Sequence, residues 1–224
     1  MTGYDPFWDR PEVVQRFAAR PPDDRMVSLL SQAPRTTRVL DLGCAAGRNT
    51  EWLAREGFDV YACDASRAMV DYTRARLVPF LGEAEAHRRV VLGRMDDLSC
   101  FPTDRFDLVL ALGIYQQAQT VGEWHRAVAE TARVLRPGGR LLVQHFAVGS
   151  RPWPELPREV EPFVFEATPP EGPSRRFVLL DQPTLDAWMA RHGLHPEAPT
   201  RIATRVTDEG GFWHNLHALY RKAT

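Results

Sequence analysis

Lysine is almost missing from this chain: of its 28 basic residues only Lys222 is a lysine, the rest being arginine. A phosphate-binding P-loop sets a lysine on the phosphates, and a pyridoxal enzyme needs one for its Schiff base. A lone lysine at position 222 suits neither role. Cysteine is scarce too, and Cys44, Cys63 and Cys100 show no C-x-x-C spacing, so they read as reduced structural thiols. There is no excess of basic charge, the formal net charge being -1, and the doublets Arg88-Arg89 and Arg175-Arg176 are local. A nucleic-acid partner is therefore not expected. Long apolar runs are absent: Val109 to Leu112 and Leu141 to Val143 are far too short to cross a bilayer, so no membrane partner is expected. The opening Met-Thr-Gly-Tyr-Asp-Pro has neither the basic nor the apolar part of a signal peptide, which makes a cytoplasmic location the expectation. His214 and His217 lie an odd number of residues apart in a strand-like run and point to opposite faces. With no other ligand cluster, no metal is expected.

What is present is an ordinary globular composition, 44% hydrophobic and 25% charged over 224 residues, enough for one domain spanning 1–224. From residue 36 to 146 short apolar runs alternate with helical patterns. Strands are expected at 38–42, 58–63, 90–92, 106–112 and 139–146, with helices at 47–56, from Ser66 onward, and at 121–135. This alternation predicts an α/β fold: a Rossmann-like, mostly parallel sheet with helices on both faces. Residues 1–35 read as a helical cap, with helices at 11–19 and 23–32 behind the aromatic trio Tyr4, Phe7 and Trp8. Residues 149–176 are crowded with proline, at 152, 154, 157, 162, 169, 170 and 173. That excludes helix and central strand. Its apolar residues, Trp153 and Phe163 to Phe165, make a lid-like insertion a better reading than a linker. A helix from Asp181 or Gln182 to Met189 follows. Runs at 201–206 and 212–220, joined at Gly210-Gly211, form a hairpin.

In an open parallel sheet ligands bind beyond the carboxyl ends of the strands. The loop leaving the first strand there is Asp41-Leu-Gly-Cys-Ala-Ala-Gly-Arg-Asn49. Gly43 permits a sharp turn and a close backbone approach, and Gly47 opens a helix whose first amides suit a carboxylate. Some twenty residues on, Asp64 ends the second strand, where a carboxylate accepts hydrogen bonds from the two ribose hydroxyls of an adenosine group. A dinucleotide needs G-x-G-x-x-G. With glycine only at 43 and 47, the loop fails that pattern.

Val39-Leu-Asp-Leu-Gly-Cys-Ala-Ala-Gly-Arg-Asn resembles the first motif of class I S-adenosylmethionine (SAM)-dependent methyltransferases, with Ala45 where a glycine is usual. Gly93-Arg-Met-Asp-Asp-Leu, Arg105-Phe-Asp-Leu-Val-Leu and Arg133-Val-Leu-Arg-Pro-Gly-Gly-Arg are similar to that family's later segments, in order. The likeness covers residues 38–146 and is nearest to small-molecule enzymes of the methyltransferase-11 and tellurite-resistance type. It implies a seven-stranded sheet whose C-terminal hairpin supplies the antiparallel strand. It also implies SAM as cofactor, S-adenosylhomocysteine (SAH) as product, and a small-molecule acceptor methylated on O, N or S. By position, Gly43, Cys44 and Ala45 would line the methionine part and Asp64 would hold the ribose. Ala65 and Met69 would flank the adenine, the Met95 amide and Asp96 carboxylate would meet its edge, and the carbonyl of Leu112 or Gly113 would touch the ammonium. Ala45 fits only if its φ is negative.

Methyl transfer from a sulfonium is an in-line displacement with an activated donor, so holding the acceptor in place supplies much of the acceleration. Tyr115 or Gln116, after the fourth strand, would orient the acceptor, and Tyr115 or His145 would act as catalytic groups. Tyr4, Trp8 and Trp153 would line an enclosed apolar acceptor pocket. The alternative is an enzyme that cleaves or cyclises SAM itself and releases methylthioadenosine.

Overall fold

The computed structural model describes residues 5–153, 155–169, 173–207 and 210–224. Its centre is strand β1 (Arg38–Leu42), in which Val39, Leu40 and Leu42 are buried because helices cover both faces. β1 pairs in parallel with β2 (Asp59–Asp64) on one side and β4 (Phe106–Leu112) on the other. β3 (Val90–Leu92) and β5 (Leu135–Phe146) extend the parallel set outward. β11 (Phe212–Lys222) runs antiparallel beside β5, and β10 (Arg201–Val206) lies at the edge next to it. The order is therefore β10-β11-β5-β4-β1-β2-β3. The expected mostly parallel sheet with its antiparallel C-terminal strand is present. It gains an eighth strand, β9 (Leu194–Pro196), paired to the end of β11. Three residues with a single buried leucine carry no period for a sequence to display.

Helices α3 (Arg48–Arg55) and α4 (Arg67–Leu81) cover one face, and α6 (Val121–Val134) and α7 (Gln182–Ala190) the other. Ser66 caps α4, its hydroxyl accepting the Met69 amide at 3.1 Å, and Asp181 caps α7 in the same way through Thr184. Sequence reading misses α5 (Glu83–Arg89), whose only buried residue is Ala86. Arg89 ties it down by bridging Glu85 and Asp59.

The N-terminal segment forms a 3-10 helix (Pro6–Asp9), α1 (Pro11–Ala18) and α2 (Asp24–Leu30). Val13 and Val14 bury against Ala46 and Met69, so this segment packs onto the loop after β1 and the start of α4. The proline-rich segment forms a separate antiparallel sheet of β6 (Arg158–Glu161), β7 (Val164–Ala167) and β8 (Arg175–Val178). Pro157, Pro162, Pro169 and Pro173 all fall outside these strands, so each ladder keeps its amides. Proline here sets the strand boundaries rather than preventing strands.

Candidate active site

The loop after β1 is folded onto the end of β2. The amides of Gly43 and Cys44 both donate to the Cys63 carbonyl, at 2.8 and 3.1 Å, and the Gly47 amide closes the turn onto Cys44. Gly43 and Gly47 both have positive φ, +71° and +76°. A Cβ at Gly43 would stand 2.9 Å from the Ile114 side chain, and one at Gly47 2.8 Å from Thr73. The loop is thus a cradle shaped by the lack of side chains. Gly47 caps α3 without a side-chain bond, which leaves the first amides of that helix for an anionic group.

Ala45 corrects an expectation. Its φ is +48°, not negative. Two bonds hold it there: its amide donates to Asp64 Oδ2 at 2.8 Å, and its carbonyl accepts from the Thr73 hydroxyl at 2.8 Å. Left-handed alanine costs about 1–2 kcal/mol, which these bonds offset.

Asp64 ends β2 facing this loop. Its second oxygen, Oδ1, accepts the Ser66 amide at 2.9 Å. Burial pushes its pKa above the ordinary carboxylate value, against the lowering effect of the Ser66, Ala45 and Ala65 amides. Each oxygen keeps one lone pair for a further donor. Asp41, one turn deeper, is 2% exposed and accepts the Thr50 hydroxyl at 2.6 Å. Burial raises its pKa to about 6. The folded chain therefore binds this proton more tightly than the unfolded chain does. The Asp41 contribution is most favourable below the ordinary carboxylate pKa and declines as pH rises toward 6. Asp41→Asn is expected to stabilise the protein at pH 8, by at most ~3 kcal/mol, and to lose that advantage by pH 4. Thermal unfolding of both forms at the two pH values checks this.

Of the other cofactor candidates, Ala65 is exposed beside Asp64, and Cys44 and Met69 are buried. Met69 packs with Val13, Val14 and Ala46 and so serves the N-terminal segment's packing. Met95 is buried, and the Asp96 carboxylate holds Arg94 at 2.9 Å and Arg126 at 3.2 Å. Arg94, in turn, reaches the buried Glu123 at 2.5 Å, so the turn after β3 is pinned to α6. Leu112 is half-buried at the end of β4, and the following Gly113 amide donates to the Gln144 carbonyl at 3.0 Å.

The two expected catalytic groups lie elsewhere than foreseen. Tyr115 is fully buried, and its hydroxyl donates to Thr131 at 2.7 Å. Burial raises its pKa. His145 is fully buried as well: Trp124 Nε1 donates to its Nε2 at 3.0 Å, and its Nδ1 pairs with the Phe146 carbonyl at 2.8 Å. Burial lowers its pKa to about 4, leaving a neutral imidazole with both nitrogens in use. Residues following a strand end tend to face a ligand, but here α6 covers both rings. Tyr115→Phe is expected to lower stability by about 1 kcal/mol in urea unfolding and to leave SAH affinity unchanged in calorimetry.

Gln116 behaves differently. It is 1% exposed, and its Oε1 has no hydrogen-bond partner, an arrangement that costs free energy unless a ligand supplies a donor. Of the aromatic candidates, Trp8 packs with Ala45 and Met69. Trp153 joins Phe146, Phe177 and Trp213, in which Phe146 and Trp213 stack at 3.9 Å. Tyr4 lies outside the described residues. Arg25, which the sequence did not single out, donates to Asp23 and to Gln144 Oε1, and its Nη1 is buried without a partner. The Asp23 amide donates to Asn49 in the first turn of α3, which places this arginine's helix beside the loop. One arginine among many carries no spacing signal.

An open, mostly parallel sheet with a glycine cradle and an acidic residue closing its second strand defines a Rossmann-like fold. The comparisons narrow it further. Residues 39–139 match the family model described as a methyltransferase domain. An uncharacterized methyltransferase of Mycobacterium tuberculosis (strain ATCC 25618 / H37Rv) is 41% identical over 128 residues, which cover 54% of this chain and 43% of the relative. This chain thus spans less than half the length of that curated relative. A SAM-dependent methyltransferase from Methanosarcina mazei shares the fold with a TM-score of 0.69 at 17% identity, covering 88% of this chain and 97% of that one. The 1,6-didemethyltoxoflavin-N1-methyltransferase of Burkholderia thailandensis, solved with 1,6-didemethyltoxoflavin and S-adenosylhomocysteine, has a TM-score of 0.64 at 21% identity, covering 97% and 81%.

Proposed function

We propose that this chain binds SAM in the Gly43–Gly47 cradle and transfers its methyl group to a small-molecule acceptor. The observation that carries the reading is Asp64, a half-buried carboxylate at the end of β2 whose oxygens are already oriented by the Ala45 and Ser66 amides. A ribose with two vicinal hydroxyls supplies the donors that its free lone pairs lack. The Gly43, Cys44 and Ala45 backbone then lies along the methionine part, and the unpaired Nη1 of Arg25 answers the carboxylate of that part. Ala65 and the turn at Met95 and Asp96 border the adenine, Met69 backs it through the N-terminal segment, and the Leu112 carbonyl takes the ammonium.

SAM supplies an electrophilic methyl group on a sulfonium. The chain's own work is to position the acceptor and exclude water. Gln116 Oε1 accepts a hydrogen bond from the acceptor and fixes its approach, while Trp8, Trp153 and the β6–β8 sheet, acting as a lid, enclose it. With Tyr115 and His145 occupied in the core, an acceptor that must lose a proton does so before binding or to solvent.

Calorimetry with SAH and incubation with SAM test this reading. SAH binds to one site per chain, and SAM stays intact until an acceptor is added. Release of methylthioadenosine without acceptor would replace methyl transfer by cleavage or cyclisation.

A further inference from the structure

Arg175, on β8, reaches from the β6–β8 sheet to the N-terminal 3-10 helix. Its guanidinium carbon lies 3.5 Å from the centroid of the Phe7 ring, and its Nε is 3.4 Å from Asp5 Oδ2. The side chain is 14% exposed, and Nε has no hydrogen-bond partner. A largely buried guanidinium is normally held by two parallel bonds to one carboxylate. Here it has a ring face and one loose ion pair. Two more cations surround the same ring, Arg10 at 5.5 Å and Arg16 at 5.9 Å, and neither forms an ion pair among the described residues. Three guanidiniums thus lie around the Phe7 ring, of which Arg175 pairs with Asp5, and burial together with Arg10 and Arg16 lowers the pKa of Arg175 while Asp5 raises it. This local excess of positive charge invites an anion.

The surroundings define what kind. Side chains alternate along a strand, so Arg175 and Phe177 leave β8 on the same face. Phe177 is 3% exposed and packs against Trp213, Trp153 and Phe146. β8 also lies against the turn that carries Gln116. Arg175 and the aromatic cluster at Phe177 thus lie on one face of β8, and the turn that carries Gln116 packs against the same strand.

We propose that the acceptor is a small acidic molecule, an aromatic or otherwise apolar body bearing a carboxylate, and that Arg175 binds that carboxylate in place of Asp5. The inference rests on the methyl-transfer reading and names its substrate class. Arg175 stacks on Phe7, which holds the planar fork toward the incoming anion, and Arg10 and Arg16 draw the anion to the entrance.

Benzoate serves as the acidic probe and benzamide as its neutral counterpart, each titrated into the SAH complex and read by tryptophan fluorescence and calorimetry. The wild-type complex is expected to bind benzoate saturably and more tightly than benzamide. Arg175→Gln weakens benzoate by roughly ten- to a hundredfold, the size of a charge-assisted bond, and leaves benzamide and SAH affinities unchanged. Asp5→Asn keeps the helix cap, removes the competing charge and tightens benzoate. Equal binding of benzoate and benzamide by the wild type, no benzoate binding at all, or wild-type benzoate affinity in Arg175→Gln overturns the proposal. Loss of SAH affinity in Arg175→Gln also overturns it, since the arginine then serves the cofactor. Failure of the wild type itself to bind SAH overturns the methyl-transfer reading instead.

Discussion

Asp64→Ala is expected to lower SAH affinity by roughly a hundredfold or more, because the two hydrogen bonds proposed from ribose hydroxyls to this half-buried carboxylate would be lost together. The same change strands the amides of Ala45 and Ser66, now 2.8 and 2.9 Å from the carboxylate oxygens. Some of the loss therefore comes through the shape of the loop. Asp64→Asn separates the two contributions. The amide keeps one acceptor oxygen, so its SAH affinity is expected to lie between wild type and Asp64→Ala. The wild type should show a matching pH dependence. The raised pKa of Asp64 means that SAH affinity begins to fall on acidification at a higher pH than an exposed aspartate would give. Calorimetry across pH checks both points. Binding by Asp64→Ala within a few fold of wild type would move the ribose elsewhere.

Gly47→Ala is the second large effect. The new methyl group would stand 2.8 Å from Thr73 Cγ2 and Oγ1, in a backbone with φ +76°. Strain and overpacking together are expected to cost roughly 2–5 kcal/mol in urea unfolding. Thr73 cannot give way cheaply, because its hydroxyl holds the Ala45 carbonyl at 2.8 Å. SAH affinity should fall along with stability. Gly57 supplies the control: its φ is +81°, but a Cβ there meets nothing within 4 Å. Gly57→Ala should therefore show the backbone cost alone, about 1–2 kcal/mol, with SAH affinity unchanged. Equal costs at the two positions would mean that the Thr73 contact carries no weight.

The parts of this protein that a sequence reveals are those where one residue type answers one physical demand. β1 reads as a buried strand because helices cover both its faces, and Ser66 reads as a cap because its oxygen meets an amide three residues on. The sharp turns at Gly43 and Gly47 and the place of Asp64 at the end of β2 were legible for the same reason. The conformation of Ala45 was not, since it depends on Asp64 and Thr73, which are 19 and 28 residues away. Tyr115 and His145 were misread because the direction of a side chain after a strand end is set by the helix that packs there. Trp124, 21 residues before His145, takes up the imidazole. The β6–β8 sheet was missed because proline content was weighed over the whole segment, when only its position relative to each strand decides. Arg25 and Arg175 acquire meaning from unpaired nitrogens, which exist only in three dimensions.

The place of β11 between β5 and β10 has a consequence for synthesis. From Arg140 to Phe146 the outer edge of β5 pairs with residues 215–221, which leave the ribosome well after it. Until then β5, an interior strand of the finished sheet, is an open apolar edge. Such borders pair with other chains when left waiting. Any arrest of translation before Phe212 would therefore leave a product prone to joining its neighbours, even with every cofactor-loop residue already made.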